Sequence, residues 1–313
     1  MDVLPRPQIH ISQHCEYTGH TGSVFAAALD EAERFLYTSG DDGIVARWDL
    51  HRLPDDGEAV LRIATSVYAM LLVPAHDLLV AGASDGTVHF VDLAERKIVH
   101  SHRKTTDAVY GFYWEAARSR VWVLQAKGLL SAIRLPDFSE DFILKMSGEN
   151  LRAILQAPVG EGVYVGASDK SITLIDPAGP KRLQQWAAHE HSVFSLAVHP
   201  EGKYLLSGGR DAHLNAWDLL HDHVLIKSIP AHNFTINDIA FSPDGDYFMT
   251  ASRDKTLKLW DAWTFELLKV IDHGRHEGHK HSVNKLKWLK SDNSVISVGD
   301  DRRIIRWNVE IGT

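Results

Sequence analysis

The chain predicts an all-β fold built from seven copies of one small unit. Three observations carry this expectation. A motif recurs as Arg47-Trp48-Asp49, Ala216-Trp217-Asp218, Leu259-Trp260-Asp261 and Arg306-Trp307-Asn308, with worn copies at Val91-Asp92, Ile133-Arg134 and Ile175-Asp176. Its anchors lie 43, 42, 42, 42, 43 and 47 residues apart, and a fixed spacing of that size marks a repeat architecture. Between the anchors, short runs alternate apolar and polar residues and are broken by Pro-Asp-Gly or Asp-Gly. That is hairpin patterning, and no stretch shows a 3.6-residue period.

The sixth copy sets out the elements in order. Ile236 to Phe241 is a first strand, closed by Ser242-Pro243-Asp244-Gly245, where glycine supplies the positive φ of the turn. Tyr247 to Ala251 is a second strand, and Ser252-Arg253-Asp254-Lys255 turns again. Thr256 to Trp260 is a third strand and Glu266 to Ile271 a fourth, outer one.

A period of roughly 40–45 residues closing on Trp-Asp resembles the WD40-repeat family, and the resemblance covers nearly the whole chain. It implies a single seven-bladed β-propeller of four-stranded antiparallel blades spanning 1–313. The blades then occupy 22–64, 65–103, 107–147, 149–188, 191–231, 234–273 and 281–309. Only six residues follow Trp307, while Gln8 to Tyr17 is a spare strand ahead of Gly19-His20. Residues 8–17 are therefore expected to form the outer strand of blade seven, which closes the ring and removes open strand edges.

Composition narrows the function classes. With 33 Lys and Arg against 41 Asp and Glu, the net charge is −8, which disfavours a general nucleic-acid or anionic-membrane binder. One cysteine, Cys15, excludes an intrachain disulfide framework. Met1-Asp2-Val3-Leu4-Pro5-Arg6-Pro7 has no apolar core of a secretory signal. The longest apolar run, Val67 to Val73, is too short to span a bilayer. The expectation is a cytoplasmic protein without a membrane segment. A P-loop, a dinucleotide fingerprint, His-Glu-x-x-His and a basic tail are all absent from the sequence.

Four blades repeat a polar set: His20/Thr38/Asp42/Trp48, His189/Ser207/Asp211/Trp217, His232/Thr250/Asp254/Trp260 and His279/Ser297/Asp301/Trp307. These positions resemble the structural tetrad of WD40 blades, a buried hydrogen-bond chain from carboxylate to imidazole to hydroxyl to indole. Ser, His and Asp together also suggest a nucleophilic triad, but an active site is built once per chain, and this set occurs in four blades. They are read as scaffold, and no catalytic residue is assigned. Blades two, three and four hold Val91, Ile133 and Ile175 at the Trp position; Asp85 and Asp169 keep the turn aspartate, and Lys127 replaces it. These blades are expected to be the softer side of the ring.

The resemblance also implies a docking surface around the channel mouth on the top face. The residue after the first apolar strand residue gives Phe25, Tyr68, Tyr110, Arg152, Phe194, Asn237 and Asn284; the residue before the turn aspartate gives Asp41, Ser84, Ala126, Ser168, Arg210, Arg253 and Asp300. Aromatic and arginine side chains are the usual binding anchors, and arginines grip carboxylate or phosphate bidentately. Phe25, Tyr68, Tyr110, Arg152, Phe194, Arg210 and Arg253 are thus the partner-binding candidates. The expected role is a non-enzymatic scaffold docking a protein or peptide, acidic or phosphorylated, within a multi-protein assembly, with no cofactor.

The alternatives are a propeller enzyme or metal-binding protein, using the channel mouth or the loop at 273–281, and a subunit of an RNA-associated complex. That loop carries four of the chain's 19 histidines within nine residues. Clustered imidazoles suit Zn, Cu or Ni. However, His279 belongs to a tetrad set and the spacing matches no strong zinc motif, which leaves His273, His276 and His281 as the metal candidates. His221-Asp222-His223 and Pro54-Asp55-Asp56-Gly57-Glu58 read as solvated turns.

Overall fold

The computed structural model describes residues 8–52, 57–158 and 162–312. Residues 1–7, read above for a signal segment, and residues 53–56 of the acidic turn lie outside the described residues. The chain forms seven four-stranded antiparallel sheets, six built from consecutive strands. In the seventh, Gln8–Tyr17 pairs with Ile304–Gly312, so the N-terminal strand is the outer strand of the last blade.

The innermost strands are Val24–Leu29, Val67–Val73, Val109–Glu115, Leu151–Gln156, Val193–Val198, Ile236–Phe241 and Val283–Trp288. Each packs on the next, and Val283–Trp288 packs back on Val24–Leu29, so the ring is closed. The core is accordingly divided into seven apolar clusters, one between each pair of neighbouring blades. A single twisted sheet cannot bury both faces, and stacking blades around an axis buries both. Val91, Ile133 and Ile175, standing where other blades have Trp, are at most 1% exposed within these clusters. Their aliphatic volume suffices to seal the interface.

The hairpin between the second and third strands recurs in all seven blades with a left-handed residue at one shared position. The residue after the turn aspartate position is left-handed in each: Gly43, Gly86, Gly128, Lys170, Ala212, Lys255 and Arg302. The aspartate makes this possible by accepting the N–H two residues on, as Asp42 does from Ile44 (3.1 Å), Asp169 from Ser171 (3.1 Å) and Asp254 from Thr256 (3.0 Å). This local role explains why Asp85 and Asp169 persist in blades that lack the histidine.

Candidate binding surface

Each innermost strand carries a β-bulge at its second residue, where the register with the second strand skips one position. The seven skipped residues are Phe25, Tyr68, Tyr110, Arg152, Phe194, Asn237 and Asn284. A bulge leaves its extra residue out of the pairing and re-aims its side chain. Here all seven are aimed into the mouth of the channel, which encloses about 420 Å³ and is lined by these seven residues and Lys285.

The bulged side chains touch one another along one arc. Phe25 meets Tyr68 edge to face at 5.4 Å, and Tyr68 stacks on Tyr110 at 5.9 Å. The Arg152 guanidinium lies 4.2 Å from the Tyr110 ring centre and 4.9 Å from that of Phe194, a cation–π bracket that holds the arginine between two blades. Burial pushes the Arg152 pKa below its ordinary value, and the nearby Arg210 charge acts in the same direction. Burial likewise raises the Tyr68 phenol.

The other two bulged residues bind the ring together instead of facing a partner. Asn237 donates to Ser282 Oγ (2.9 Å) and to the Val283 carbonyl (2.8 Å); Asn284 donates to the Val24 carbonyl and Asp300 Oδ1, both at 2.8 Å. These bonds stitch blade six to seven and seven to one. On that flank the carboxylates are also engaged, since Asp41 accepts from Ser66 Oγ at 2.9 Å. Arg210 and Arg253, on blades five and six, are exposed, and neither side chain has an ion-pair partner among the described residues. Ser168 is taken up by Arg152 Nε at 3.3 Å; Ser84 and Ala126 are half-buried.

Below the mouth the channel continues through about 220 Å³ and is walled by small residues, Ala26, Ala69, Gly111 and Ala153, and by Asp238, Lys285 and Lys287. Sequence inspection passed over this trio. The signal was there, in the alternation Lys285-Leu286-Lys287 on an innermost strand, which puts both lysines on the channel side.

The four polar sets form hydrogen-bonded chains. His20 Nδ1 lies 2.9 Å from Asp42, its Nε2 lies 2.8 Å from Thr38 Oγ1, and the Trp48 indole N–H donates to the same hydroxyl at 2.7 Å. The corresponding three distances are 3.0, 2.8 and 2.9 Å at His189, 2.9, 2.7 and 2.9 Å at His232, and 2.8 Å throughout at His279. Thr38, Ser207, Thr250 and Ser297 are fully buried. Each of these four hydroxyls is hydrogen-bonded to the imidazole and the indole of its own blade.

The histidine-rich connection differs from an open loop: His273–His276 is a single helical turn, capped by Asp272, which accepts from the Arg275 N–H at 2.9 Å. His273 Nδ1 donates to the Gly278 carbonyl at 2.9 Å, His276 Nδ1 accepts the Asp272 N–H at 3.5 Å, and His281 is exposed. Among the described residues no three His, Cys, Asp or Glu side chains converge as a metal site. The reading of 221–223 as a solvated turn needs correction at His223. Its ring stacks on Trp186 at 4.5 Å and its Nε2 meets Tyr164 Oη at 2.8 Å. The apolar wall between blades four and five captures it.

Comparison with known sequences agrees with this geometry. The profile described as "WD domain, G-beta repeat" matches residues 12–49, 180–218, 223–261 and 271–308. The chain is a WD40-repeat protein. Each of the four matches to this WD40 propeller contains one complete hydrogen-bonded set, and none contains Val91, Ile133 or Ile175. Two curated relatives share parts of it. Protein groucho of Drosophila melanogaster is 26% identical over 187 residues, covering 59% of this chain and 25% of that protein. Nuclear distribution protein nudF 1 of Talaromyces marneffei is 34% identical over 94 residues, covering 30% of this chain and 20% of that protein. The matches thus span a quarter and a fifth of these longer relatives. No described helix of the WD40 propeller is long and apolar enough to cross a membrane.

Proposed function

We propose that this WD40 propeller is a non-enzymatic interaction scaffold that docks an acidic or phosphorylated segment of another protein across its top face, within a multi-protein assembly. One observation carries the reading: seven aligned bulges gather an aromatic arc and Arg152 at the mouth, with Arg210 and Arg253 exposed and without an ion pair among the described residues. Apolar rings supply contact area, and free guanidinium groups supply charge-assisted hydrogen bonds. The hydroxyl and imidazole groups of the four repeated sets are hydrogen-bonded within their own blades, which weighs against their use as a nucleophilic triad. Residence in the cytoplasm is part of the same proposal, tested by imaging the tagged full chain.

The decisive comparison is partner capture, alongside binding to an array of acidic and phosphoserine peptides, by the wild type and by Arg210→Glu with Arg253→Glu. Both side chains are exposed, so the melting temperature should be unchanged while capture and peptide binding fall at least tenfold. Tyr68→Ala and Phe194→Ala should weaken binding without altering its salt dependence. An unchanged partner set across all these variants would place the docking surface elsewhere.

A further inference from the structure

The channel wall holds an imbalance of charge. Arg152 at the rim, Lys285 below it and Lys287 deeper still all line one continuous cavity with a single carboxylate, Asp238. Lys285 and Lys287 are two positions apart on the strand Val283–Trp288, so their side chains emerge on one face about 7 Å apart along the channel axis. Asp238 is already committed: one oxygen accepts the Leu286 N–H at 2.9 Å, and the other faces Lys285 Nζ at 3.6 Å. Lys287 has no ion pair or hydrogen bond among the described residues, and neither does Arg152 with any carboxylate. Burial lowers the Lys287 pKa, which only the Asp238 charge opposes. Charges withdrawn from bulk water are ordinarily paired, and this channel leaves two positive charges uncompensated.

We propose that the channel beneath the aromatic mouth is an oxyanion site, in which Lys285 and Lys287, with Arg152 at the entrance, hold a phosphate-type group. The cavity of about 220 Å³ admits one such group with part of its hydration, and below the rim its described lining is otherwise mostly apolar, including Met70, Phe112 and Ile154, so the two ammonium groups are the cationic donors there. The group arrives either as a free small anion or on a side chain of a docked segment; the chemistry of capture is the same. The site does not use Arg210 or Arg253, so loss of docking in their variants and loss of phosphate binding in the lysine variants are distinguishable outcomes.

Inorganic phosphate is the first probe, added to the full chain in exchange for chloride at constant ionic strength, with melting temperature and calorimetric titration as readouts. The wild type should show a saturable rise in melting temperature. Lys287→Met and Lys285→Met should each weaken phosphate binding at least tenfold, whereas Arg210→Glu with Arg253→Glu should retain it. In chloride alone Lys287→Met should melt no lower than the wild type, because it removes a repelled charge and keeps most of the side-chain volume. A capped phosphoserine peptide that binds at least tenfold more tightly than phosphate identifies a docked side chain as the source; phosphate binding without that gain identifies a free anion. A wild type with no saturable response, or a Lys287→Met variant that binds phosphate as well as wild type, overturns the site.

Discussion

The indole N–H of Trp122 donates to Oε2 of Glu115 at 2.8 Å, in a blade that has no imidazole–carboxylate pair to anchor a tryptophan. Arg120 Nε donates to the same oxygen at 2.6 Å, and its other nitrogens reach Asp141 and the Pro177 carbonyl. Its guanidinium lies 5.3 Å from the Trp122 ring centre. Glu115 and Arg120 are 4% and 3% exposed. Blade three thus replaces the missing chain with a different buried network.

Removing one partner of that network should be severe. Glu115→Ala leaves the Arg120 charge buried with a partner lost, at a cost of roughly 3–5 kcal/mol. Glu115→Leu combined with Arg120→Met removes both charges together and should recover most of the loss in urea unfolding. A double variant as unstable as Glu115→Ala would mean that the orphaned Trp122 N–H or lost packing, not the ion pair, accounts for the damage.

The two roles of the turn aspartate should separate energetically. Asp254 accepts from His232, the Asn233 N–H, the Thr256 N–H and the Thr256 hydroxyl, whereas among the described residues Asp169 accepts from the Ser171 N–H and hydroxyl alone. Asp254→Ala should cost about 2–4 kcal/mol by orphaning buried donors. Asp169→Ala should cost less, about 1–2 kcal/mol, the scale of its two local hydrogen bonds to Ser171. Equal losses on chemical denaturation would contradict this division.

Stability should fall on acidification in two stages. Burial lowers the His232 pKa from 6.5, an effect the Asp254 carboxylate only partly offsets. Burial alone raises Asp211, but hydrogen bonding and charge from His189, with two backbone N–H groups, outweigh it and bring the pKa from 3.8 to about 2. In both cases the unfolded chain binds the proton at higher pH than the folded chain, so stability declines as pH falls. The melting temperature should begin to drop as the pH falls below 6.5 and drop again below 3.8. A melting temperature that rises between pH 6.5 and 5 would refute the assignment.

Closure through the N-terminal strand should be essential. Gln8–Tyr17 pairs along its length with the last strand, and Ile11 and Tyr17 are 4% and 2% exposed. Deleting residues 1–17 bares that edge and should produce aggregation or a large loss of thermal stability, seen by light scattering and calorimetry. A truncated chain that stays monomeric and melts within a few degrees of the full protein would sink the closure argument.

The sequence by itself determined the repeat, the strand order within a unit, the four tetrad sets and the closing strand. Each depends on local spacing, and a period of about 42 residues with Asp six before Trp survives in one dimension. Residues such as Phe25 and Arg152 were legible as positions, because the count from the first apolar residue places them. Only the tertiary structure decided what those positions do. Seven bulges turn them inward, Asn237 and Asn284 are spent on blade-to-blade bonds, and Arg152 is clamped between the rings of Tyr110 and Phe194. The Glu115–Arg120–Trp122 network and the Asp238–Lys285–Lys287 channel wall were likewise decided there. The reason is physical: burial and charge balance are summed over neighbouring blades, and residues such as Asp238 and Lys285 meet only when the ring stacks.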